Sequence, residues 1–135
     1  MLELVTKQEA YEHLRLDYDS DGSADDGWLD IFIPAVSEAV SSWIKVPERL
    51  YDPEIDEDGN IVVDSAGEPV PALDSSGLPT VRRVVKAAVL LELASQYRFH
   101  EGEGDNVVPA EAGHGYVLSK GATALLVALR KSTVA

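Results

Sequence analysis

Residues 16 to 29 read LDYDSDGSADDGWL, and their carboxylates fall at the alternating positions of a calcium-binding loop. In that arrangement Asp17, Asp19 and Asp21 supply side-chain oxygens, Gly22 makes the sharp turn and Asp25 takes the ninth place. The twelfth place demands a bidentate carboxylate but holds Trp28, and the eighth holds Ala24. A cation that takes roughly six to eight oxygens is left short of ligands. The short Asp and Ser side chains are therefore read as turn-forming and helix-capping groups. No metal site is expected, with Asp17, Asp19 and Asp21 the candidates for weak cation binding.

Other residues capable of chemistry do not converge on a motif. His13, His100 and His114 are the only histidines, and none shares an HxH or HxxxH spacing. His13 reads as a solvated partner of Glu9, and His100 as a cation at a helix C-terminus. Ser41 and Ser42 lack the glycines of a nucleophile elbow. GEGDN and GHGYVLSKG match neither a phosphate loop nor a dinucleotide fingerprint. Asp56, Glu57 and Asp58 could imitate paired catalytic carboxylates, but beside a turn they read as solvent-facing charges. Without cysteine there is no disulfide, thiolate nucleophile or thiolate ligand. The expectation is a protein that is not an enzyme and has no cofactor.

The elements that position these residues follow from apolar spacing. Thr6 and Glu9 stand at capping-box separation, so a helix starts near Lys7, with Ala10, Tyr11 and Leu14 on its apolar side. Trp28, Ile31, Phe32, Ala35, Val36, Ala39, Val40 and Trp43 predict a second amphipathic helix over about residues 26–44, capped by Asp25 or Asp26. Pro34 should bend that helix rather than end it. Residues 47–78 break the helical pattern. Turn signals at Asp58-Gly59-Asn60 and Ser65-Ala66-Gly67 flank Ile61-Val62-Val63, which predicts an inserted β-hairpin or short β-meander. From Pro79 the pattern predicts the longest helix, about 80–100, apolar almost all round and stopped by Gly102 and Gly104. A last helix starts near Ser119, carries Ala122, Leu125, Leu126 and Leu129, and finishes at Arg130 and Lys131. No internal repeat is evident. The fold class is mainly α: a small bundle of about four helices in one domain over 1–135, interrupted by the 47–78 insertion.

Composition bounds the partners. The 135 residues include 24 acidic and 11 basic side chains, a formal net charge of −13. Such a surface repels nucleic acid and anionic membrane, and the one basic cluster, Arg82, Arg83 and Lys86, is too small for a duplex reader. No apolar run reaches the roughly 18 residues of a membrane span. The start, MLELVTKQEAYEHL, lacks the basic and apolar blocks of a secretory signal, so synthesis in a cytoplasm is expected.

EAYEHLRLDYD, a loop and WLDIFIPAVSEAVSSWI together resemble the opening helix pair of the head–tail connector, or adaptor, proteins of long-tailed bacteriophages. LPTVRRVVKAAVLLELASQYRFHEGE is similar to that family's long helix, which typically ends in a Tyr-x-x-Arg/His-Glu type of segment. LSKGATALLVALR resembles its closing stretch through Leu118, Gly121, Leu125, Leu126 and Arg130. The chain departs from the family's pattern in two ways. It inserts residues 47–78 where short members pass directly between helices, and it has Ser119 and Lys120 where a proline is expected.

The resemblance implies a structural virion protein at the head–tail interface. Its members form a homo-oligomeric ring of about twelve copies below the portal protein. The ring extends the channel for genomic DNA and docks the next connector, stopper or tail protein. Lumen-facing acidic residues would let DNA pass without specific binding. Trp28, Phe32, Val36, Trp43, Val85, Leu91, Leu93, Leu125 and Leu126 are expected in the core or the subunit seam. Interface candidates are Trp28, Phe32, Trp43, Ile61, Val63, Val70, Leu125 and Arg130, with residues 54–73 against a neighbour and the C-terminal KSTVA a docking segment. Two other classes fit the composition: a small acidic regulator or inhibitor that masks a basic partner, and a weak cation-binding helical module.

Overall fold

The structure, a computed structural model, describes residues 2–14, 26–100 and 118–131. Four helices order them: α1 (Lys7–Leu14), α2 (Asp26–Ile44), α3 (Arg83–His100) and α4 (Lys120–Leu126). Short 3-10 turns follow α2 at Pro47–Leu50 and α4 at Val127–Leu129. The first helix begins as its sequence requires. Glu9 N–H donates to Thr6 Oγ1 (3.1 Å) and Thr6 N–H to Glu9 Oε1 (2.9 Å), so two backbone donors with no helical partner are satisfied reciprocally. Of the two caps expected for α2, Asp26 is its first helical residue and Asp25 lies outside the described residues, as do the glycines expected to stop α3.

One core joins the helices. Leu29, Ile33, Val36, Val40 and Ile44 form a continuous stripe on α2 and meet Val85, Ala88, Val89 and Leu93 of α3. Tyr11 of α1, Leu50, and Leu118, Ala122 and Leu126 around α4 close the cluster. Each such Leu, Ile or Val contributes roughly 1.5–3 kcal/mol relative to exposure. The buried stripe of α2 is rotated from the expected one. Trp28, Phe32, Ala39 and Trp43 flank the core half-buried, while Ile31 is 67% exposed. Helix α2 continues through Pro34, itself buried, and does not end there. Three residues on, Ser37 is also buried and accepts Leu4 N–H (3.0 Å), which fastens the N-terminal segment to α2.

Two expectations for the later helices are corrected. The long helix starts at Arg83, because Pro79 and Val81 pair with Leu73 and Tyr51 instead of opening a first turn. It is also one-sided: Val85, Ala88, Val89 and Leu93 are buried, whereas Leu91 faces out. Helix α4 is short, capped by Ser119 Oγ accepting Ala122 N–H (3.3 Å), and the chain tightens to a 3-10 turn after Leu126. Gly121 leaves room for Leu91, whose Cδ1 would lie 3.6 Å from an added Cβ.

The inserted β-hairpin or meander is also corrected. Among the described residues there is no β-strand, only isolated antiparallel bridges: Tyr51–Val81, Pro53–Pro71, Ile55–Ile61, Val63–Pro69 and Leu73–Pro79. Residues 51–81 instead form a compact lobe of extended segments around a common axis. A hairpin needs two strands that share successive rungs. Here a residue such as Asp52 or Glu54 donates its N–H to one segment and accepts at its carbonyl from another, so no pair builds a ladder.

Candidate interaction surfaces

The lobe is built from one local device used three times. Asp56, Asp64 and Asp74 each turn an Oδ1 back onto two backbone donors. Asp56 accepts Asp58 N–H (2.9 Å) and Asn60 N–H (2.9 Å). Asp64 accepts Ala66 and Glu68 N–H (2.8 and 3.0 Å), and Asp74 accepts Ser76 and Leu78 N–H (2.8 and 3.0 Å). Three residues after each Asp stands Gly59, Gly67 or Gly77, with φ of 82, 80 and 78°. That left-handed conformation strains any residue with a Cβ, so Asp-x-x-Gly is the sequence form of the turn. The expectation of no internal repeat is therefore wrong: DEDG, DSAG and DSSG are the repeat.

Two closed rings of backbone hydrogen bonds hold the turns together. In the first, Asp52 N–H donates to Thr80 C=O (2.8 Å), Thr80 N–H to Ala72 C=O (3.1 Å) and Ala72 N–H to Asp52 C=O (2.8 Å). In the second, Glu54 donates to Val70 (2.7 Å), Val70 to Val62 (2.9 Å) and Val62 to Glu54 (2.9 Å). Pro53 and Pro71 pair between the rings, and Pro69 and Pro79 each precede a ring residue; none of the four positions donates in either ring, so a residue without an N–H fits there without losing a ring bond. Arg49 ties the lobe to the body: Nε and Nη2 donate to Glu68 Oε1 and Oε2 (2.9 and 3.2 Å), and Nη1 to Leu129 C=O (3.1 Å).

The lobe's surface is apolar and acidic. Ile55, Ile61, Val63, Leu73 and Leu78 are all more than half exposed, and Ile55, Val70, Pro71, Leu73 and Pro79 line a shallow groove beside Glu54. Residues 51–81 hold eight acidic residues and no Lys, Arg or His; the rest of the chain holds sixteen acidic and eleven basic residues. The lobe thus carries eight of the thirteen net negative charges.

A contrasting surface lies at the C-terminal end of α2. Arg130 Nε donates to Trp43 C=O (3.0 Å), its guanidinium sits 4.6 Å from the Trp43 ring centroid, and Lys131 N–H donates to Ile44 C=O (3.0 Å). Lys45 adjoins them in the left-handed conformation (φ 76°) and is exposed, as are Arg130 and Lys131. Sequence reading names Trp43 and Arg130 as interface candidates but does not join them with Lys45 and Lys131 in one patch, because the cations stand far apart in the chain. The basic cluster it does find is dispersed by the fold. Lys86 pairs with Glu9, Arg82 Nε donates to Arg49 C=O (3.0 Å), and Arg83 faces outward.

The other predicted residues are distributed as follows. Trp28 stacks on Phe32 at 4.5 Å between centroids and meets Tyr97 edge-on at 5.3 Å, both half-buried against the core. Val36, Val85, Leu93 and Leu126 are buried, while Leu91 and Leu125 are exposed. His13 is exposed, and the Glu9 carboxylate it was expected to face is taken by Lys86 Nζ at 2.9 and 3.2 Å. Burial works against the Glu9 charge, yet the Thr6 N–H and the Lys86 ammonium outweigh it and hold the carboxyl below its ordinary value. Asp17, Asp19, Asp21, His114 and residues 132–135 lie outside the described residues, and His100 outside the described side chains. Among the described residues no three His, Cys, Asp or Glu side chains are grouped to hold a metal ion.

No family model matches this chain, and no curated protein or solved structure is significantly similar to it.

Proposed function

We propose that this protein is a head–tail connector subunit of a long-tailed bacteriophage, which joins about twelve copies into a ring below the portal. In this reading the ring lies at the head–tail interface of the virion, lengthens the DNA channel and presents a platform to the next connector, stopper or tail protein. The observation that carries it is the amount of large apolar surface left outside a completed core. Ile61 and Val63, 52% and 56% exposed, stand on the lobe, and Ile31, Leu91, Leu125 and Val127 stand on the helical body. Apolar side chains exposed on several faces suit a subunit with more than one neighbour. The order of helices, two before the insertion and two after it, supports the same reading. No helix among the described residues is long and apolar enough to cross a membrane.

The test is reconstitution with the cognate portal protein. Single-particle imaging should find a ring of this chain on the portal's tail-facing end. Absence of binding at micromolar concentrations of both proteins rejects the reading. The lobe's concentration of charge favours a second reading, an acidic protein that masks a basic partner. That protein would form a small complex of fixed ratio and leave the portal bare.

A further inference from the structure

The two contrasting surfaces are complementary to each other, and neither is complementary to itself. The chain leaves the body at Leu50 and passes both hydrogen-bonded rings before it reaches the first turn, which we take as the lobe's tip: Asp56, Glu57 and Asp58 are exposed there, whereas the second turn is tied back to the body through Glu68 and Arg49. Ile55 and Ile61 flank that turn, both more than half exposed. At the C-terminal end of α2, the Arg130 guanidinium lies over the half-buried Trp43 ring, and the exposed Lys45 and Lys131 adjoin it through the chain and through the Lys131 N–H bond to Ile44 C=O. One surface is an acidic tip with an apolar collar, and the other is a set of cations beside an aromatic side chain.

We propose that the tip of the lobe of one copy docks on the basic end of α2 of the next copy. The inference rests on the ring reading and names the seam. Lobe against lobe is opposed by eight acidic residues on each side, so the symmetric pairing that gives a simple dimer is disfavoured. A tip that meets a different surface on the next copy is a head-to-tail contact, which repeats and gives a ring where the rotation between copies closes. The residues of both rings have their own backbone groups paired, and what the tip offers a neighbour is the exposed side chains of Asp56, Glu57 and Asp58 with Ile55 and Ile61. A chain of net charge −13 can associate with itself by this route because the charge is unevenly divided: the lobe is purely acidic, and the exposed cations at the end of α2 receive it.

Charge exchange tests the seam. Glu57→Lys with Asp58→Lys reverses the tip without touching the turn, whose bonds use the Asp56 carboxylate and the backbone. Lys45→Glu with Lys131→Glu reverses the other surface. Sedimentation at millimolar protein and low salt should show wild-type association weakened at least about tenfold in either double variant. An equimolar mixture of the two variants should restore it, because each then offers the other both complementary faces. Carbodiimide coupling between isotopically labelled and unlabelled copies should join Glu57 or Asp58 to Lys45 or Lys131, in solution and on the portal. Association equal to wild type in both variants overturns the proposal. So does the absence of those cross-links both in millimolar solution and on the portal. A ring on the portal whose cross-links lie elsewhere rejects this seam but leaves the connector reading standing. The predicted cross-links without portal binding uphold the seam and reject the connector reading.

Discussion

Glu9 shows how one side chain links local and tertiary structure. Its carboxylate completes the cap of α1 and receives Lys86 from α3, at the cost of partial burial. Because its folded-state pKa is depressed, the stability it adds is fully present above the unfolded value, near 4.5, and is lost as pH falls through the lower folded value. Urea titrations of wild type and Glu9→Gln should therefore differ most at neutral pH and converge as pH falls below about 4.5. Parallel curves at all pH values would show that the charge contributes nothing. Arg49 is the corresponding residue at the joint between lobe and body. Its guanidinium meets Glu68 through two nitrogens and Leu129 through a third. Arg49→Ala should cost about 1–3 kcal/mol in thermal unfolding, and Arg49→Lys should recover little of it, because an ammonium cannot make the forked contact.

The helical elements were largely legible in the chain, and the lobe was not. Thr6 and Glu9 mark the start of α1 through a bond pattern with little sequence freedom, and apolar spacing gives the bounds of α2. Which face of α2 turns inward is another matter. Trp28, Phe32, Ala39 and Trp43 fit a helical stripe as well as Leu29, Ile33, Val36, Val40 and Ile44 do, and only packing against α1 and α3 decides between them. The lobe escapes a reading by alternation because its extended segments share no ladder. Its signal lies in Asp-x-x-Gly, which recurs at unequal intervals (56, 64 and 74) and is hidden from a search for fixed periods. The same reasoning explains the candidate surfaces. Ile61 and Val63 are recognisable as apolar residues beside turns, whereas the basic end of α2 exists only because Arg130 and Lys131 fold back onto Trp43 and Ile44.

For the molecule as a whole, charge is the dominant surface property, and a ring of about twelve copies would carry a formal charge on the order of −150. DNA threaded through such a ring should slide without adhering. Gel-shift measurements on the purified oligomer at low salt should detect no retained duplex; tight retention would place cations along the lumen and reject that picture. The lobe's two ends also have a bearing beyond this chain. Arg82 N–H donates to Leu50 C=O (3.0 Å), and Tyr51 bridges Val81, so the backbone returns to within one hydrogen bond of where it departed. An outgrowth whose two feet touch is a cassette: it can lengthen, shorten or be exchanged over generations while the helices beneath keep their register, leaving its contacts free to drift independently of the scaffold.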